Sequence, residues 1–301
     1  MVNGYKDIEI PSRAKVLLPG RAVVHKLNAD GSNGILEMLL TTGKTSTMRI
    51  LLAFLLLPAC ALGANNVVNM SHYDLMRPDF AGMKKEGVAG VIHEATFPRQ
   101  QRDTRYAERQ RAAFEAGLLW GAYHFGDGTN PVGQADHFLD AVTDAQLPSR
   151  LEDPAKPRSG VLLVLDFEKN GHYPGGSMST AQAVAFVERI KERTGKYPGL
   201  YGSEYRLRQM LNGPRATSAH RKILSRCWLW IANYHKEPRD TAPWSGWHLW
   251  QYCGDGICDL RPRSVYPKSV ANIPKAERNI FRGDNAELKA FWRENAWYPS
   301  G

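Results

Sequence analysis

No stretch of this 301-residue sequence stays apolar for long enough to cross a bilayer. The longest candidate, Ile50 to Leu57, is cut short by Pro58, so no stable membrane span is expected. Cysteine is scarce, with four in the chain, and none stands with histidine at zinc-ligand spacing. That removes a zinc-centred reading, and no metal or cofactor is expected. No internal repeat is evident, which argues against a repeat array. An unbroken basic tract is missing too. The chain carries 39 Lys and Arg against 30 Asp and Glu, a formal charge of +9, and such a balance favours an anionic partner: nucleic acid, anionic lipid or an acidic wall polymer. The densest basic stretch, Arg99, Arg102, Arg105, Arg109 and Arg111, is interrupted by Asp103 and Glu108. Mixed signs suit a solvated helix face, so nucleic acid is not the expected partner.

What is present is ample core material, 43% hydrophobic residues with 10% aromatics, enough for one large domain. Met48-Arg49, the apolar run and the small residues that follow through Ala64 have the layout of a secretory signal peptide over 48–64, against a buried core helix as the bland alternative. A secreted or periplasmic product follows. Residues 1–47 lie upstream of that signal and show no sustained period, which reads as a non-native or disordered extension from an over-extended start. The functional domain is then 65–301. Cys60 falls in the signal region, where Pro58 fits a lipid-anchor pattern poorly. Cys253-Gly-Asp-Gly-Ile-Cys258 is a short loop that a disulfide can close, leaving Cys227 unpaired; three unrelated thiols is the competing reading.

From residue 66 onward short apolar runs alternate with helical patterns, the signature of a largely parallel sheet wrapped by helices. Strands are expected near 66–70, 88–94, 118–125, 161–168, 198–202, 227–232 and 247–252, and helices near 78–86, 104–116, 132–146, 179–194 and 203–212. Gly87, Gly117 and Gly195 stand where left-handed helix caps belong, and Ser179 with Gln182 forms a capping box. Stretches 148–160 and 254–275 read as loops. The fold class is α/β, a single barrel-like domain expected as a monomer.

Val161 to Leu165 reads as a strand buried on both faces, and it ends in Asp166-Phe167-Glu168. Alternation puts both acids on one side, where each charge raises the other's pKa, so one stays protonated while its neighbour ionises. That division of labour is what cleavage of a glycosidic bond requires. Solvated acids at a strand end are the bland alternative. Positions i and i+2 lie roughly 6 to 7 Å apart, between the spacings that separate retaining from inverting enzymes. Aromatic and amide residues stand at other strand ends: Tyr123, His124 and Phe125, Tyr201, Trp230 with Tyr234, and Trp250, Gln251 and Tyr252. Flat rings stack on sugar faces, and polar tips bond hydroxyls. Taken singly each is more often a core residue; the joint placement is what points to a sugar site.

These residues, in this order, resemble the glycoside hydrolase family 25 lysozymes. The matching segments are Val67 to Tyr73, Gly121 to Phe125, Leu165 to Glu168, Leu229 to Tyr234, Trp250 to Tyr252 and Asn279 to Phe281, spread over about 66–292. The resemblance implies an irregular TIM-like β/α barrel of mixed strand direction, no metal, and hydrolysis of the bond between N-acetylmuramic acid and N-acetylglucosamine in peptidoglycan. Glu168 matches the family's proton donor, and Asp166 the acid that assists it by orienting the substrate's acetamido group. Three positions depart from the pattern. Asn69 stands where the family opens with aspartate, Glu277 where it has a later aspartate, and Glu94 where it has lysine. Asn69 and Glu277 are nevertheless expected to contact substrate. A catalytically weak or inactive wall-binding protein with the same cleft is the alternative these departures open.

Overall fold

The computed structural model describes residues 16–18, 21–27, 33–39, 63–152 and 160–299. The chain divides into two units, 1–60 and 61–301. In the first, β1 (Val16–Leu18), β2 (Arg21–Leu27) and β3 (Asn33–Leu39) form an antiparallel sheet. These strands fall in the stretch read as an extension; the expected signal segment 48–64 lies outside the described residues apart from Gly63 and Ala64.

The second unit is built on a sheet of nine strands: β4 (Ala64–Met70), β5 (Gly90–Phe97), the two-residue β6 (Gln101–Arg102), β7 (Leu119–Phe125), β8 (Val161–Asp166), β9 (Gly199–Ser203), β10 (Trp228–Ala232), β11 (Leu249–Cys253) and β12 (Glu277–Phe281). β4 pairs with both β5 and β12, which closes eight of them into a barrel, while β6 hangs on the edge of β5. Seven barrel strands run parallel, and β12 alone is antiparallel to its neighbours β11 and β4. The helices are α1 (Phe80–Lys85), α2 (Tyr106–Glu115), α3 (Pro131–Glu152), α4 (Thr180–Thr194), α5 (Glu204–Asn212), α6 (Ser218–Leu224) and α7 (Asn285–Asn295).

Alternation along each strand sorts its side chains into two buried layers. Val67, Ile92, Leu162, Val164, Trp230 and Leu249 fill the barrel interior, and Leu288 and Trp292 of α7 join them. The Trp292 indole donates to the Trp120 carbonyl at 2.9 Å, and its ring occupies the space that Gly90 leaves free. Val68, Val91, Leu163, Leu165 and Leu229 face outward into the layer beneath the surrounding helices, with Phe138, Phe186 and Ile190 above them.

All seven expected strands and five expected helices are present within a few residues. Ser179 caps α4 in a capping box with Gln182, and Gly195 ends it at φ 75. The sequence reading passed over β12, α6 and α7. β12 reads Glu-Arg-Asn-Ile-Phe, three of five residues polar, because Glu277 and Asn279 are directed into a polar network rather than a greasy core. The loop expected from 148 is also shorter, since α3 runs to Glu152. Cys253 and Cys258 are joined as a disulfide, and Cys227 is free and buried. Among the described residues no helix is long and apolar enough to cross a membrane.

Candidate active site

The carboxyl ends of the parallel strands surround a cleft of about 460 Å³, the usual location of the site in such barrels. Asn69, Tyr123, Asp166, Glu168, Tyr201, Trp230, Tyr234 and Glu277 all line it. β8 ends at Asp166, two residues earlier than its expected boundary, yet the Phe167 N–H still donates to the Tyr201 carbonyl at 2.9 Å. The chain therefore stays extended for one more residue. Phe167 is buried beneath the helices, while the two acids on either side of it reach the cleft.

Backbone N–H groups fix the pair. Glu168 N–H donates to Asp166 Oδ1 at 3.2 Å, and Ser203 N–H, at the end of β9, donates to Glu168 Oε1 at 3.0 Å. Burial pushes the Asp166 carboxyl well above the ordinary carboxylate range, with the charges of Glu168 and Glu94 adding to it. Burial also raises Glu168, against the Ser203 N–H, which favours its ionised form. Two adjacent carboxyls that resist ionisation can keep a proton and deliver it to a leaving oxygen.

The opposite side of the cleft is an amide network. Asn69 Nδ2 donates to Glu277 Oε2; Gln251 Nε2 donates to Asn69 Oδ1 at 3.1 Å and to Glu277 Oε2 at 3.2 Å. Asn279 Nδ2 donates to Asn69 Oδ1 at 2.9 Å, and Asn279 Oδ1 accepts the Trp230 indole N–H at 2.7 Å. The Tyr201 and Tyr234 hydroxyls both donate to Gln251 Oε1. Burial lifts the Glu277 carboxyl to about 8, helped by Asp255 and Asp74. Gln251 thus stands behind the lining residues, where it orients two tyrosines and a carboxyl.

Two sequence-predicted contacts lie elsewhere. Alternation on β7 turns His124 away from Tyr123 and Phe125, into the helical layer. There it bonds Thr96 Oγ1 at 2.8 Å and Gln134 Oε1 at 2.9 Å, and stacks on Phe186. Burial lowers its pKa to about 4, which keeps it neutral. Trp250 likewise turns outward from β11 and donates its indole N–H to the Asn233 carbonyl at 2.9 Å. Reading every residue of a strand end as facing the site overlooked the two-residue period.

Phe125, read with the strand-end aromatics, lines the cleft as well. Other lining residues went unread as contacts: Ser71, Tyr73, Asp74, His172, Tyr173 and Asp255, together with His72 and Glu94. His72 donates its backbone N–H to Glu94 Oε2 at 3.1 Å, and its ring contacts the same oxygen. Tyr173 bridges to His72 Nε2 at 3.3 Å and to the Tyr73 hydroxyl at 3.0 Å. His72 and Tyr73 lie within a segment that carried the resemblance; His172, Tyr173 and Asp255 are loop residues with no periodic signal. Among the described residues, six carboxyl groups line the cleft, from Asp74, Glu94, Asp166, Glu168, Asp255 and Glu277, and no Lys or Arg does.

A closed barrel with two adjacent acids at its carboxyl-end mouth is the arrangement of a glycosidase. The model of the glycosyl hydrolases family 25 matches residues 68–259, and the chain belongs to that family. No curated protein sequence matches the chain. Among solved structures it is similar to a bacterial lysozyme from Streptomyces coelicolor, at 22% identity and TM-score 0.58, covering 78% of this chain and 99% of that one. A family 25 lysozyme from Aspergillus fumigatus is similar at 21% identity and TM-score 0.53, covering 76% and 98%. The catalytic domain of an endolysin from bacteriophage P40 of Listeria monocytogenes is similar at 20% identity and TM-score 0.52, covering 75% and 97%. The irregular barrel expected from the sequence is the fold these structures share.

Proposed function

We propose that the domain hydrolyses peptidoglycan between N-acetylmuramic acid and N-acetylglucosamine, with Glu168 as general acid and Asp166 assisting. The observation that carries this reading is the paired, ionisation-resistant carboxyls at the mouth of a barrel whose family consists of glycosidases. Glu168 gives its proton to the glycosidic oxygen as the bond to the anomeric carbon breaks. Water then supplies the oxygen that the anomeric carbon gains, and its proton returns to the carboxylate. Asp166, next to Glu168 on the same side of the strand, orients the substrate's acetamido group. Tyr123, Tyr201, Trp230 and Tyr234 offer the ring faces and hydroxyls that hold the sugars, and Asn69 and Glu277 add polar contacts opposite. Segment 48–64 is read as the signal that takes this domain to the wall.

The test is release of new reducing ends from purified peptidoglycan, with muropeptide analysis to separate a muramidase from a glucosaminidase. A wild-type chain that binds peptidoglycan yet releases no reducing ends supports the second reading, a wall-binding protein. Glu94 favours that reading, because it places a buried acid in the cleft of Asp166 where the family has lysine.

A further inference from the structure

Strand β11 ends at Cys253, and the chain reverses through Gly254-Asp255-Gly256-Ile257 before Cys258 closes the disulfide. Gly254 and Ile257 exchange backbone hydrogen bonds of 3.2 and 2.8 Å, and both central residues have positive φ, 50 at Asp255 and 76 at Gly256. Asp-Gly is the pair that such a two-residue turn favours, so the hairpin is locally encoded and covalently closed at its base. Its tip is therefore a rigid place from which to present a side chain. That side chain is Asp255, which lines the cleft, accepts the Tyr234 hydroxyl at Oδ2 at 3.2 Å, and directs its backbone N–H towards Glu277 Oε1 at 3.4 Å.

β11 stands three strands round the barrel from β8, so Asp255 confronts the acid pair from another side of the same cleft. We propose that Asp255 is a positioning residue for the glycosidase reaction: the disulfide-closed hairpin holds its side chain at the rim of the cleft that Asp166 and Glu168 share, where it acts on the reaction through Glu168. The inference rests on the reading of Glu168 as general acid. The Asp255 charge opposes ionisation of Glu168 and of Glu277, and it acts on Asp166 and Tyr234 as well. The other groups facing Glu168 divide in sign. Arg206 of α5 and the Ser203 N–H favour its ionised form, whereas Asp166, itself pressed by Glu94, opposes it. Asp255 is solvent-exposed, so its influence is screened by salt.

The experiment is the pH profile of kcat/KM on purified peptidoglycan for the wild-type chain, Asp255→Asn, Asp255→Glu and Glu168→Gln, at low and high ionic strength. The alkaline limb reports loss of the proton from the acid. Removing a neighbouring negative charge lowers the pH at which that proton leaves. Asp255→Asn is expected to move the limb down by roughly half a pH unit, a size set by an exposed charge near a protein surface. Asp255→Glu should restore the limb, and salt should move it in the wild type but not in Asp255→Asn. A limb that stays put in Asp255→Asn, whether KM rises or kcat falls, overturns the proposal and leaves Asp255 as a substrate contact or a structural residue. If Glu168→Gln keeps its activity, the assignment of the acid fails instead, a result that the Asp255 variants cannot mimic.

Discussion

On the β8 side of the cleft, Asp166 and Glu168 are held by the backbone N–H groups of Glu168 and Ser203, and burial opposes the ionisation of both carboxyls. On the β4 and β12 side, Glu277 is surrounded by side-chain amides from Asn69 and Gln251, which are tied in turn to Asn279, Tyr201 and Tyr234. The first side keeps proton donors and acceptors free for a reacting oxygen. The second consumes most of its hydrogen-bonding capacity in fixing a shape. The three departures from the family pattern, Asn69, Glu277 and Glu94, all fall outside the β8 side. On the proposed reading, the chemistry belongs to the β8 side and the amide side contributes to recognition of the sugar.

Substitutions can break this division. The largest effect after loss of Glu168 itself is expected from Asp166→Asn, which should cut kcat by roughly 10² to 10³-fold with KM little changed, since it removes a group used mainly in the transition state. Steady-state kinetics on soluble glycan strands checks this. Glu277→Gln should show the opposite split, with KM several-fold higher and kcat within about twofold. It should also alter stability. The folded pKa of Glu277 is raised to about 8 against an ordinary 4.5, so its contribution is fully present below the lower value and is lost as pH rises through the higher one. Thermal unfolding of the wild type should therefore weaken between about pH 5 and 8 relative to Glu277→Gln, and parallel curves would contradict the raised carboxyl. The smallest effect is expected from Asn69→Asp, about two- to threefold in KM, because the new carboxyl meets the same amides but repels Glu277. A marked gain in kcat would move that side of the cleft from recognition into chemistry.

The barrel was legible in the sequence because its strands are continuous apolar runs separated by amphipathic helices, as in Val161 to Leu165 followed by Thr180 to Thr194. β12 was not, since Glu277, Arg278 and Asn279 satisfy neither strand pattern and acquire their meaning only beside Asn69 and Trp230. At the site, the Asp166 and Glu168 pair was visible from spacing alone. His124 and Trp250 were placed there by proximity along the chain, although the pleat turns both outward. Tyr173 and Asp255 reach the cleft on loops whose paths depend on tertiary contacts, and no local pattern announces that. The Asp-Gly pair at 255–256 did carry a turn signal, and it is the turn that places Asp255.

The assignment of chemistry to the β8 side is tested most directly by counting reducing ends released from purified peptidoglycan by the wild-type chain and by Glu168→Gln. The wild type should release them and Glu168→Gln should lose roughly 10³-fold or more of that rate, while still binding the polymer, because the amide side of the cleft is untouched. Release by Glu168→Gln at close to the wild-type rate would contradict the assignment.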